Sequence, residues 1–254
     1  THSSGSTTHY TRMNAVLVLS VLAVIGFFYA SVGHGGASGY LVVMALLGYS
    51  QDVMRPSALI MNLFVSAISF TQFARGGHFR WKLFWPFALA SVPFAFIGAG
   101  ISVDPLIYKR ILAVCLLFAV ARLVGLFGSA PLKSKEVNIP LALITGAVLG
   151  LVSGVIGIGG GILLSPLILL LGWANAKETA AVSALFIFVN SASGVLRIAM
   201  DGMELGNEVV GWVLAAVVGG LAGGYFGAQR LNEPRLRQLL GFVLFLASIK
   251  LFWA

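Results

Sequence analysis

The chain has 254 residues, of which 59% are apolar and 9% charged, and it carries a formal net charge of +8. A soluble domain carries roughly 25% charged residues, so this chain has too few to cover a water-facing surface and falls in the membrane class. Its basic residues are spread over short connections such as Arg75, Arg80 and Lys82, where Lys and Arg set topology and meet lipid phosphates. They form no continuous basic face for a nucleic acid.

Residues 1–12 are polar and read as a disordered tail or expression remnant outside the fold. The first apolar run, 14–32, has the length of a signal peptide, but further apolar runs follow it. Gly33-His34-Gly35-Gly36-Ala37 separates it from a shorter run, 36–49. The run 56–74 carries Asn62, Ser66, Ser69 and Gln72 at helical spacing, roughly on one face. Gly77-His78-Phe79-Arg80-Trp81 leads into the run 83–101. Asp104-Pro105 then opens the helix holding 111–127, because an acid that can cap, followed by proline, is a helix start. Cys115, the single cysteine, reads as a small buried hydrophobe.

After the polar stretch 128–138 the runs continue as 139–156, 160–173, 179–200, 209–228 and 239–254. Most runs are long enough for a hydrocarbon core about 30 Å thick at about 1.5 Å per residue. The second half repeats the first. Gly157-Ile158-Gly159-Gly160-Gly161 follows the earlier glycine break by 124 positions (33 to 157), Gly26 meets Gly150, and Leu47-Gly48-Tyr49 meets Leu171-Gly172-Trp173. Val65-Ser66 meets Val189-Asn190, and Asp104-Pro105 meets Glu233-Pro234. The organisation expected is a tail at 1–12, a first transmembrane repeat at 13–127, a linker at 128–138 and a second repeat at 139–254.

As one helix, 14–49 would run about 54 Å, too long to cross once, while 36–49 alone is too short to cross comfortably. A helix, a glycine turn at membrane depth and a shorter returning leg fits both lengths. The fold expected is therefore an all-α polytopic membrane protein of two homologous halves. Each half has a Gly-rich broken or re-entrant helix hairpin plus three spanning helices. Five segments per half would make the halves inverted repeats, whereas a four-plus-four arrangement would leave them parallel and split the basic residues almost evenly. One side then collects Arg75, Arg80, Lys82, Arg122, Lys133, Lys135, Lys177, Arg230, Arg235 and Arg237, ten of the sixteen basic residues, and the positive-inside rule makes that side cytoplasmic.

Irregular backbone at membrane depth survives only where protein or a wet cavity surrounds it, and paired breaks point to a midplane transport site. Helix starts after the breaks carry partial positive charge and unpaired donors, which bind anions; close helix packing is the plainer role for such glycines. The candidate substrate-binding residues are Gly33, His34, Gly35 and Gly36 in the first break, with Asn62 and Ser66 on the following helix. In the second half they are Gly157, Gly159, Gly160 and Gly161, with Asn190 and Arg197 on the following helix. The polar stripes can equally bond neighbouring helices, Arg197 can snorkel, and His34 can donate to an anion, carry a proton or be held within its turn. The glycine motif at 157–161 lacks the Lys-Ser/Thr of a nucleotide loop. All eight acidic residues fall in loops or at helix edges, whereas a cation or carboxylate proton pathway keeps an acid in the membrane. The interior favours an anion.

The duplicated glycine break with its short apolar leg and polar-dotted helix, together with Gly77-His78-Phe79-Arg80-Trp81, resembles the TauE/SafE sulfite exporter family, also called the toluene sulfonate uptake permease family. The second copy, Gly202-Met203-Glu204-Leu205, lacks the Trp. The resemblance implies transport, commonly outward across a bacterial inner membrane, of sulfite, sulfonates or related sulfur-containing anions. No metal or cofactor is expected. The partners would be a small anionic substrate and the lipid bilayer, with a coupling proton or ion and a homo-oligomer left open. The alternatives are a transporter or channel for another small anion, or an intramembrane enzyme using Ser31, Ser38 or Ser153 with His34, which has no acid to orient it.

Overall fold

The computed structural model describes residues 4–123, 135–203, 205–206 and 208–229. Among them the apolar runs form nine α-helices and no strand. These are α1 (Ser4–Ser31), α2 (Ala37–Leu46), α3 (Gln51–Arg75), α4 (Trp81–Ala99), α5 (Pro105–Leu123), α6 (Ile139–Ile156), α7 (Gly161–Leu171), α8 (Ala176–Met200) and α9 (Glu208–Gln229). Five of them, α3, α4, α6, α8 and most of α9, are long and apolar enough to cross a membrane. At 10 and 11 residues, α2 and α7 reach only about 15–17 Å, half a bilayer core. The run 239–254 and most of the stretch 128–138 lie outside the described residues, as does Glu233-Pro234.

The helix starts follow local chemistry. Asp104 Oδ1 accepts from the amides of Leu106 and Ile107 at 2.9 and 3.3 Å, so α5 opens where the Asp-Pro pair predicts. Asn138 caps α6, and Asn175 with Glu178 forms a capping box at α8. Two starts differ clearly from the apolar pattern: α1 begins at Ser4, within the stretch 1–12 read as a tail outside the fold, and α3 begins ahead of its apolar run. Helix α3 begins at Gln51, five residues before Pro56, because the Ser50 carbonyl accepts from Val53 and Met54 and Asp52 sits in the positive first turn. That shift brings Arg55 into the helix.

Two close seams hold the bundle. Along α9, a Cβ on Gly219, Gly223 or Gly227 would collide with the carbonyl oxygen of Ala23, Phe27 or Ser31 of α1, respectively. Along α6, Gly146, Gly150 and Gly154 meet Phe87, Ser91 and Ala95 of α4 in the same manner. Both seams repeat every four residues, and in each the two helices run parallel. Glycine lets backbones this close pack and exchange Cα–H···O contacts, which replace the hydrophobic drive that lipid removes.

The long helices α3 and α8 cross at the centre in opposite directions. Leu59 meets Gly194, Asn62 meets Ser191, and Phe73 clusters with Ala180 and Ala181. At one end Arg80, just before α4, donates to the Trp173 carbonyl and pairs with Glu178. The Lys135 amide donates to the Gly172 carbonyl at 2.7 Å, so the chain enters α6 beside the point where it leaves α7. The outer faces are apolar: Val210, Leu214 and Val218 form an exposed stripe on α9, as do Ile144 and Val148 on α6. Such stripes are untenable in water and ordinary against lipid tails. With the five apolar helices they make this an integral membrane protein.

Candidate functional site

Both breaks are built by glycines at positive φ. Helix α1 ends in a turn in which Gly33 and His34 donate to the carbonyls of Ala30 and Tyr29. Gly33 (φ 81°) and Gly36 (φ 96°) then turn the chain into α2. Helix α6 ends at Gly157 (φ 85°), and Gly159 and Gly160 (φ 72° and 76°) turn it into α7. A side chain at any of these positions would pay the left-handed penalty of about 1–2 kcal/mol. All of 33–36 and 157–161 are buried.

The breaks meet at Asn62, near the middle of α3. Its Oδ1 accepts from the Ala37 amide, the first of α2, at 3.0 Å. Its Nδ2 donates to the Ile158 carbonyl at 3.2 Å and to Ser191 Oγ at 3.4 Å. Gly35 and Gly159 both abut Asn62 and Ile187, so a Cβ at either would press on those side chains. One amide thus ties the first break, the second break, α3 and α8 together.

The two helix starts are not equivalent. Glycine is the N-cap of both α2 and α7 and supplies no capping side chain. For α2 the acceptor comes from Asn62. At the matching place beside α7, 124 positions on, stands Phe186, whose ring would meet a Cβ on Gly160 at 2.9 Å. Among the described residues no side chain accepts from the first-turn amides of α7.

His34 is buried under α7. Its Nδ1–H donates to the Val32 carbonyl at 2.9 Å, and Nε2 lies 3.0 Å from Ser165 Oγ. Ser165 is also 3.0 Å from the Gly161 carbonyl and 2.8 Å from Ser183 Oγ. A neutral ring takes the Ser165 proton at Nε2. A protonated ring donates to Ser165, which turns its own proton to Gly161.

The remaining sequence candidates separate. Ser66 is fully buried and its hydroxyl bonds back to Leu63 in its own helix. Asn190 is 1% exposed, and neither side-chain atom has a hydrogen-bond partner among the described residues. It lies between Ile187 and Ser191, which both border Gly159. Arg197 is away from the breaks, at the end of α8, ion-paired with Asp201 and resting over the Phe96 ring. Ser153, 1% exposed and without a hydrogen-bond partner among the described residues, faces Gly160. Ser91 on α4 is likewise buried and unpartnered. Serines on apolar helices carry no positional signal in one sequence, which is why Ser91 escapes notice.

A polytopic bundle with buried, partly unsatisfied amides and hydroxyls around two broken helices defines a membrane protein of the transporter class. The chain belongs to the sulfite exporter TauE/SafE family, whose model matches residues 18–251. It is 36% identical over 234 residues to a probable membrane transporter protein, y4hK, of Sinorhizobium fredii, covering 91% of this chain and 95% of that one. It is 26% identical to a probable membrane transporter protein of Xylella fastidiosa strain Temecula1, covering 96% and 97%. No solved structure matches the chain. The protein is a membrane transporter of this family.

Proposed function

We propose that this chain carries a small sulfur-containing anion, sulfite or an organosulfonate, outward across a bacterial inner membrane. The anion is held between the two breaks, and one half rocks against the other to expose it to each side in turn. The observation that carries the reading is Asn190, a buried amide without a hydrogen-bond partner among the described residues, on the helix whose Ile187 and Ser191 border the second break. Buried polar groups are ordinarily paired, and an oxyanion supplies the acceptors that the Asn190 amide and the α7 amides lack.

The halves are read as inverted repeats with re-entrant hairpins. Support comes from the opposite directions of α3 and α8, which occupy the same place in each half, and from the Lys135–Gly172 contact that closes the α6–α7 hairpin on one side. Positive-φ glycines also recur in step: Gly33 with Gly157, Gly36 with Gly160, Gly48 with Gly172 and Gly77 with Gly202. The side bearing Arg75, Arg80, Lys82, Lys135 and Lys177 is cytoplasmic in this reading. His34, hydrogen-bonded to Ser165, is the place for a coupling proton in this reading.

Purified protein in sealed vesicles tests the substrate. Saturable flux of sulfite or a sulfonate, competed by the other, is the expected outcome. Flux of chloride or another anion, with none for any sulfur oxyanion, would reassign the substrate.

A further inference from the structure

Arg55 goes unremarked in the sequence because it precedes Pro56, where the apolar run begins. In the structure it is 9% exposed inside α3. Its Nη2 donates to the carbonyls of Ala99 and Gly154 at 2.8 and 3.1 Å, and Nη1 reaches Ile101 at 3.5 Å. Every one of these partners is a neutral carbonyl, and among the described residues Nε has no partner. No carboxylate hydrogen-bonds this guanidinium among the described residues, and the acid that acts on it, Asp52, is exposed, so the buried charge is only partly compensated where proteins ordinarily pair or neutralise one.

Beside it lies a cavity of about 480 Å³ whose wall includes Arg55, Gln51, Asp52, Ser102 and Asp201. Arg55, Pro56 and Ala99 are its buried floor, and Ser50, Asp52 and Ser102 are exposed at its mouth. Of the two acids in the wall, Asp201 is paired with Arg197, and Asp52 is exposed at the mouth, where its charge acts on Arg55. Behind the floor, the Arg55 backbone and Cβ lie against Gly157, the first residue of the second break. The cavity opens at the end of the bundle opposite Arg80 and Lys135.

We propose that this cavity is a second binding site for a small oxyanion, with Arg55 as its charged group and Gln51 and Ser102 as neutral neighbours. It is the outer vestibule of the path through the second break. That role rests on the transport reading above, while the ligand chemistry rests on Arg55 alone.

The test uses the full chain in nanodiscs, titrated with sulfite, sulfate, phosphate or chloride while the thermal unfolding midpoint is followed. A saturable rise with at least one oxyanion, and none with chloride, is expected. Asp52→Asn, which removes a repelling charge at the mouth, lowers the half-saturating concentration roughly three- to tenfold. Ser102→Trp, a surface-loop change that fills the mouth, and Arg55→Lys, which removes the planar fork, each raise it at least about tenfold. Absence of any oxyanion-dependent rise in the wild type overturns the site, as does an identical rise in Asp52→Asn and Ser102→Trp. Vesicle flux is read separately. If wild-type vesicles carry no sulfur oxyanion while the Ser102- and Asp52-dependent rise persists, the transport substrate falls and the vestibule site stands.

Discussion

The Asn62 side chain donates to the Ile158 carbonyl across 96 positions of sequence, while its own oxygen accepts from the Ala37 amide. A single buried amide therefore holds two chain breaks from different halves in register. Removing it leaves a donor and an acceptor unpaired in a buried place, at about 1–3 kcal/mol each. Asn62→Leu is expected to lower the unfolding midpoint clearly and to abolish flux. Denaturation and vesicle uptake on the same preparation check both.

Asn190 behaves in the opposite way. Because it makes no hydrogen bond among the described residues, Asn190→Ala or Asn190→Leu forfeits none and should leave stability within about 1 kcal/mol or raise it. Flux falls at least about tenfold if the amide meets the substrate. Reduced stability with normal flux would mark Asn190 as a packing residue.

The glycine seams offer a paired comparison. Gly223 sits against the Phe27 carbonyl, whereas the nearest atom to a Cβ on Gly211 of the same helix is Leu19 Cδ2 at 3.5 Å. Gly223→Ala should destabilise by about 1–3 kcal/mol through overpacking against backbone. Gly211→Ala should be neutral or gain up to about 1 kcal/mol from helix propensity. Thermal unfolding of the two variants side by side measures the difference.

His34 separates coupling from binding. His34→Gln keeps a side chain able to hydrogen-bond Ser165 but cannot hold a proton. The expected result is flux that persists down the substrate gradient and no longer responds to an imposed pH gradient. An unchanged response would move the coupling elsewhere.

How far the sequence discloses this molecule depends on the kind of signal. The breaks are legible because glycine at positive φ is a covalent requirement, and Gly33, Gly36, Gly157 and Gly160 all adopt it. Asn62 is legible as an intramembrane amide, but its partners Ala37, Ile158 and Ser191 are set by tertiary packing. Arg55 is hidden by Pro56: proline reads as a start, yet α3 accommodates it in its second turn and begins at Gln51. Arg197 looks like an anion ligand by composition, and only the fold shows Asp201 and Phe96 taking up its charge. Ser91 and Ser153 gain meaning from having no partner, a property of the packed bundle alone.

The most direct measurement asks whether water and substrate reach the place where the breaks meet. With Cys115, the single cysteine, replaced by Ser, an Asn190→Cys variant is exposed to a charged, membrane-impermeant thiol reagent from either face of sealed vesicles. Alternating access predicts labelling from both faces, slowed by an organosulfonate, which does not itself react with the reagent, although position 190 is 1% exposed in this conformation. A thiol that stays unreactive from both sides, with and without the sulfonate, would contradict a transport site at the breaks.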